Sequence, residues 1–206
     1  EKLAGGVEIS LRQSFGWSIH QPFAYMDVKY TVSEAGLDIK CSAEFSNKVT
    51  FLPRFGIRMF LPERFGTAEY FGYGPYESYI DKRRASYMGN FFALIKDMHE
   101  DYIRPQENSS HFGCKYMTVS DGNIRVKFTS DERFSFSASE YTQEELAAKR
   151  HNFELEKCGS SVICIDSKMA GVGSNACGPE LAEKYRIPLP MVSVDLHIRI
   201  TDKKEF

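Results

Sequence analysis

The side chains of this 206-residue chain that could do chemistry gather in three stretches. In "EDYIRPQENSSH", residues 100 to 111, Glu100, Asp101 and Glu107 offer carboxylates. Cleavage of a glycosidic bond needs two such acids about 5–9.5 Å apart. Spacing along the chain does not set that distance, and solvated loop charge is the alternative reading. His111 with Glu107 would suit proton transfer on a sugar. In "FGYGPYESYIDKR", residues 71 to 83, Gly72, Gly74 and Pro75 predict a sharp exit from a strand over 68–71. Tyr73, Tyr76 and Tyr79 would then offer rings for stacking, with Glu77 and Asp81 beside them. The competing role is a structural loop that covers a sheet edge.

The third stretch, Gly171-Val172-Gly173-Ser174-Asn175-Ala176-Cys177-Gly178-Pro179, joins small residues to a stiffening proline. Small side chains let a ligand or another chain approach the backbone closely. Cys177 would be a nucleophile only beside a base that lowers its thiol pKa, and the sequence supplies none, so it reads as filler. His20, His99, His111, His151 and His197 are scattered without metal-ligand spacing and read as surface histidines.

Composition narrows the partners. Lys and Arg number 26 against 28 Asp and Glu, and the basic runs are short (82–84 and 203–204), which argues against nucleic acid. Hydrophobic residues make up 42% and aromatics 14%, as expected of a folded domain rather than a disordered one. Five cysteines, at positions 41, 114, 158, 164 and 177, show no C-x-x-C spacing. They suggest a reducing, cytoplasmic setting. No apolar run nears the roughly 18 residues of a membrane span, and the first residues do not read as a signal peptide. The chain starts without Met, which leads us to expect a fragment of a longer protein.

The elements that must hold these stretches are strands. Apolar residues alternate with polar ones at Val7, Ile9 and Leu11, and again at Met26, Val28, Tyr30 and Val32. The same period recurs at Ile124, Val126 and Phe128, at Phe134, Phe136 and Ala138, and from Val192 to Ile200. Period two means strands buried on one side, each expected to cover one face of a core. Turn signals at Glu34-Ala35-Gly36, Asp121-Gly122-Asn123 and Gly171-Val172-Gly173 give the spacing of an antiparallel sandwich. Helix is confined to one capping box, Thr142-Gln143-Glu144-Glu145, which predicts a short helix over 143–150.

Five motifs in order, "LPRFGIRM" (52–59), "FGYGPYESYIDKR", "EDYIRPQENSSH", "FSASEYTQEEL" (136–146) and "AGVGSNACGPEL" (170–181), resemble the C-terminal domain, or small chain, of glycoside hydrolase family 2 β-galactosidases. The resemblance implies an all-β, antiparallel β-supersandwich like that of galactose mutarotases, with one short helix. It implies a single domain over residues 1–206, expected as a C-terminal fragment that lacks the family domain's first strands, and that packs on a separate (β/α)₈ barrel. That barrel would carry both catalytic glutamates and the Mg and Na of the active site. This domain would hold no catalytic residue, metal or cofactor. Its partners would be the rest of the β-galactosidase chain and, through the shared active site, a β-galactoside. A homo-oligomer is also compatible; nucleic acid and membrane are not expected.

In the resembled family one loop of this domain, often G-x-G-G-D-D-S-W, places a tryptophan beneath the sugar. Here Gly173, Ser174, Asn175, Ala176 and Cys177 are the corresponding substrate-binding candidates. The loop is one residue shorter, and a thiol stands where the indole would be. Two other functions fit parts of the sequence. A free-standing aldose 1-epimerase would use His111 and Glu107, and an independent carbohydrate-binding module would use Tyr73, Tyr76 and Tyr79.

Overall fold

The computed structural model describes residues 2, 3, 5–173 and 178–202. Its strands are β1 (Lys2–Leu3), β2 (Gly6–Phe15), β3 (Ala24–Ser33), β4 (Gly36–Phe45), β5 (Arg54–Pro62) and β6 (Thr67–Gly74). They continue with β7 (Tyr87–Leu94), β8 (His111–Ser120), β9 (Ile124–Ser139), β10 (Ser160–Met169) and β11 (Met191–Asp202). Every pairing is antiparallel. The main order is β1-β2-β3-β4-β11-β9-β8-β6-β7, with β10 and β5 branching from β9. This is the all-β sandwich expected from the alternation.

The sandwich is organised around β9. The sequence suggests two short strands, at 124–128 and 134–138, whereas the chain forms one strand of 16 residues. Its first half pairs with β11, from Thr129 opposite His197 to Ile124 opposite Asp202. Its second half pairs with β10, Ser139 opposite Val162 through Ser135 opposite Asp166. On the other side β8 follows both halves, with register shifts between His111 and Tyr116. Gly113 sits there at φ +71°, a left-handed conformation that glycine takes without a Cβ clash. One strand thus feeds two branches, whose inner residues meet in one cluster that includes Val28, Ile39, Val194 and Leu196 on one side and Ile163, Ile165 and Phe136 on the other.

A second, smaller cluster joins Ala43, Val192, Ala170 and Ile187, with Leu181 and Leu189 packed against it. It fixes the root of the glycine-rich loop, since Ala170 is buried immediately before Gly171.

Not every alternating strand covers a core. Val7, Ile9 and Leu11 of β2 remain 43–47% exposed, although they lie opposite Val32, Tyr30 and Val28 on the face that is buried further in. Val7, Ile9 and Leu11 do not join the cluster in which β3, β4 and β11 meet β5 and β10. The sequence pattern reports which side of a strand is apolar, and the neighbouring layer decides whether it is covered.

The single α-helix among the described residues, α1 (Gln143–Ala148), begins where the capping box places it, the Thr142 hydroxyl accepting the Glu145 amide at 3.1 Å. It stops two residues short of the expected end. The Glu145 carboxylate accepts the Glu156 amide at 2.8 Å and pairs with Lys149, which ties the helix to the following chain. Among the described residues no helix is long and apolar enough to cross a membrane.

Candidate functional site

The aromatic stretch does not leave its strand where the glycines suggest. β6 runs on through Gly72 and Tyr73 to Gly74, and the turn starts at the cis Gly74–Pro75 bond. The two glycines serve packing instead. A Cβ on Gly72 would collide with the Cys114 side chain, and one on Gly74 with the Tyr70 hydroxyl and the Phe91 ring. Buried Tyr70, Cys114 and Phe136 fill that space.

Beyond the proline the chain folds inward. Tyr79 is 2% exposed and Ser78 wholly buried, its amide donating to the Ser110 carbonyl at 2.6 Å. Tyr79 and Lys82 exchange backbone hydrogen bonds, 2.8 and 3.2 Å, so residues 79–82 form a tight turn with Ile80 and Asp81 at its tip. Glu77 is the anchor. Its Oε1 accepts from the Lys82 ammonium and the Tyr102 hydroxyl, and its Oε2 from the Ser109 amide at 3.0 Å. Ser109 takes φ +62° to present that amide, and its hydroxyl donates to the Met98 carbonyl and Asn108 Oδ1. A non-glycine residue in this region needs local hydrogen bonds to hold it there. Burial works against the Glu77 charge, but Lys82, Tyr102 and the Ser109 amide outweigh it and hold the carboxyl below the usual glutamate range.

The tip of the turn reaches the third stretch. The Val172 amide donates to Asp81 Oδ1 at 3.0 Å and the Gly173 amide to Oδ2 at 2.9 Å. Just upstream, the Ala170 amide donates to the Pro53 carbonyl and the Gly171 amide to the Tyr185 carbonyl, both 2.9 Å. Four successive amides are therefore committed before residue 174. The consecutive N–H groups of Val172 and Gly173 thus converge on one carboxylate, and Gly173 carries the chain onward at φ +76°. Of the five substrate-binding candidates, Gly173 lies here; Ser174, Asn175, Ala176 and Cys177 lie outside the described residues.

The remaining chemistry candidates are structural. Glu107 pairs with the Arg54 guanidinium at 2.9 Å, and Asp101 takes the Asn152 side-chain amide at 2.9 Å, so the two acids serve different partners. Arg54 also grips Asp166 through Nε at 2.9 Å and through Nη2, across 112 residues of sequence. Asp166 is 3% exposed, and burial pushes its carboxyl up despite the arginine fork. Burial likewise raises Glu107, against the field of Arg54. No signal in the sequence marks this triad.

His111 is 3% exposed, stacked on Phe136 with ring centroids 5.1 Å apart, and its Nδ1 lies 3.0 Å from the Tyr70 hydroxyl. Burial pulls its pKa down to about 4. A ring so enclosed meets no sugar, contrary to the epimerase expectation. The three tyrosines do not form a stacking platform either, because Tyr79 is interior, Tyr73 lies under Arg83 beside Phe112, and Tyr76 stands open without them. His197 is also no lone surface histidine. It sits among Asp38 (2.8 Å), Asp195 (3.2 Å) and Asp131 (3.4 Å), brought together from β4, β11 and the stretch within β9. Asp131, Asp195 and His197 place ligand-type atoms within 4.8 Å, a polar surface cluster that Lys40 and Arg199 already neutralise in part. Cys41, Cys114, Cys158 and Cys164 are free, and burial raises Cys41 and Cys164 to about 11, far from thiolate chemistry.

Comparison with known proteins places the chain in a family. Residues 4–200 match the family model described as beta galactosidase small chain. The chain is 43% identical over 182 residues to a beta-galactosidase of Actinobacillus pleuropneumoniae, covering 88% of this chain and 18% of that protein. It is 38% identical over 167 residues to one from Staphylococcus xylosus, covering 81% and 17%. Against the Kluyveromyces lactis beta-galactosidase it is 30% identical over 166 residues, covering 77% and 16%. The chain thus spans less than a fifth of the length of these relatives. With a match from residue 4 to residue 200, this chain belongs to the beta-galactosidase small-chain family.

Proposed function

We propose that this chain is the C-terminal sandwich of a β-galactosidase that removes terminal non-reducing β-D-galactose residues, and that it acts by supporting assembly and lining one side of the galactoside pocket. The observation that carries this reading is the match to under a fifth of proteins named beta-galactosidase, over nearly all of this chain. The described residues give it a structural logic. Arg54 serves both Glu107 and Asp166, Lys82 serves Glu77, and His111 is sealed inside, so the buried ionisable groups work at holding segments together. Both acids of a retaining mechanism would come from a neighbouring barrel, which an all-β chain of 206 residues cannot supply. On this reading the active-site metals also belong to that barrel, and the working setting is the cytoplasm.

The contribution of this chain to the pocket would be the loop that begins at Gly173 and continues through Ser174, Asn175, Ala176 and Cys177. A thiol cannot stack on a sugar face as an indole does, so Cys177 would contribute shape rather than stacking. The test compares the gene's whole polypeptide with the isolated chain on o-nitrophenyl β-galactoside. Turnover by the former and none by the latter is expected. Turnover by the isolated chain, or a whole polypeptide without galactosidase activity, would refute the proposal.

A further inference from the structure

We infer that Asp81 is a positioning residue for the galactoside loop: its carboxylate fixes Val172 and Gly173, and so sets the direction in which the chain enters the loop. This rests on the reading that the loop lines the sugar pocket. The observation is the paired grip, Val172 amide to Oδ1 at 3.0 Å and Gly173 amide to Oδ2 at 2.9 Å, across more than 90 residues of sequence.

Three features make the grip specific. Both oxygens are used, one per amide, so a carboxylate satisfies what an amide side chain cannot, since the Asn Nδ2 group donates only. The closeness of approach requires glycine at position 171, where a Cβ would lie 2.5 Å from Asp81 Cγ. And Asp81 is itself held. The 79–82 turn is closed by its own backbone bonds, and Lys82, the next residue, is tied to Glu77, which is tied in turn to Ser109 and Tyr102. The polar-aromatic stretch therefore acts as a bracket, footed on the 100–110 segment, whose tip holds the loop stem. Residues 172 and 173 are open to solvent, and apolar packing does not hold them.

The effect should appear in substrate binding rather than in chemistry. A stem released from Asp81 must be ordered when the sugar binds, and fixing one residue's backbone is worth about tenfold in an equilibrium constant. Interactions made equally in ground and transition states change KM and leave kcat alone. In the gene's whole polypeptide we expect Asp81→Ala to raise KM for o-nitrophenyl β-galactoside about tenfold at unchanged kcat. Asp81→Asn, which keeps one acceptor, should give an intermediate rise. Gly171→Ala, which crowds the carboxylate from the loop side, should give the same rise in KM and serves as the test should Asp81→Ala fail to fold.

Hydrogen exchange at Val172 and Gly173 separates the two layers of the inference. Faster exchange in the variants with raised KM supports it. Unchanged exchange overturns the grip while leaving the proposed function intact, provided galactose still protects these amides in the unmodified protein. Faster exchange with unaltered KM overturns the positioning role, and absence of galactose protection in the unmodified protein then removes the loop from the sugar site as well. A fall in kcat with KM unchanged would also contradict the inference.

Discussion

Two carboxylate anchors in this chain solve the same problem in opposite ways. Glu77 and the pair Asp166 and Glu107 each tie together segments that are distant in sequence, and all three are largely withdrawn from water. Glu77 receives an ammonium, a phenol and a backbone amide, and its carboxyl is held below the usual range. Asp166 and Glu107 share one guanidinium, and burial wins, pushing both carboxyls up. Even the shared contact is imperfect: Arg54 Nη1 and Glu107 Oε1 lie 2.9 Å apart, yet their angle does not make a hydrogen bond. The donors that meet a carboxylate and the depth of its burial together decide whether a buried acid is comfortable as a charge.

The contrast is broken most forcefully by removing the shared cation. Arg54→Met would leave two buried acids without compensation, and removing one partner of a buried pair costs about 3–5 kcal/mol. Urea unfolding should show that loss. A triple replacement, Arg54→Met with Asp166→Leu and Glu107→Met, should restore most of it if the charge, and not the volume, is at issue. Glu77→Ala comes next, at about 1.5–3 kcal/mol, the worth of hydrogen bonds to a charged group. Its distinguishing sign is faster hydrogen exchange at Ser109.

Acid titration sharpens the comparison without mutation. A carboxyl held below its unfolded pKa stabilises the fold above that pKa and loses the contribution as pH falls through the folded value. Glu77 follows this rule, so its anchor weakens only below the usual glutamate range. Asp166 and Glu107 have the opposite sign, with folded pKa values above unfolded ones, so protonation on acidification relieves rather than costs. Carbon-13 NMR of the side-chain carboxyls should find Glu107 titrating at higher pH than Glu77. The reverse order would undo the comparison.

The smallest effect is expected at His197. The hydrogen bond to Asp38 leads the causes that raise its pKa, desolvation opposes it, and Asp131 and Asp195 add to the rise. Its stabilising contribution is complete below the unfolded pKa of about 6.5 and fades as pH rises through the higher folded value. Partial exposure keeps it under about 1 kcal/mol, and added salt should reduce it further. Thermal unfolding of His197→Gln should lose this pH dependence between neutral and mildly alkaline conditions.

The local rules written in the sequence carried a good part of the fold. Period-two alternation marked β2, β3 and β11 because each has one apolar side, and Thr142 marked the start of α1 because a hydroxyl can satisfy a helix-terminal amide wherever it occurs. β10 left no such trace. Ser161 to Asp166 are all buried, and a strand covered on both faces does not alternate. Gly72 and Gly74 looked like turn residues because glycine permits both a turn and a close approach, and the neighbours that decide between them, Cys114, Tyr70 and Phe91, come partly from other strands.

The same division holds at the site. The five ordered motifs were enough to point to the family, since motif identity is a property of order along the chain. That Asp81 holds Val172 and Gly173, that Arg54 serves both Glu107 and Asp166, and that His111 lies sealed beneath Tyr70 all depend on contacts between residues 41 to 112 positions apart. Side-chain chemistry and local backbone preference are set by the residue and its immediate neighbours. The dielectric around a charge and the partner it meets are set by whatever else the fold brings there, and only the tertiary structure decided them.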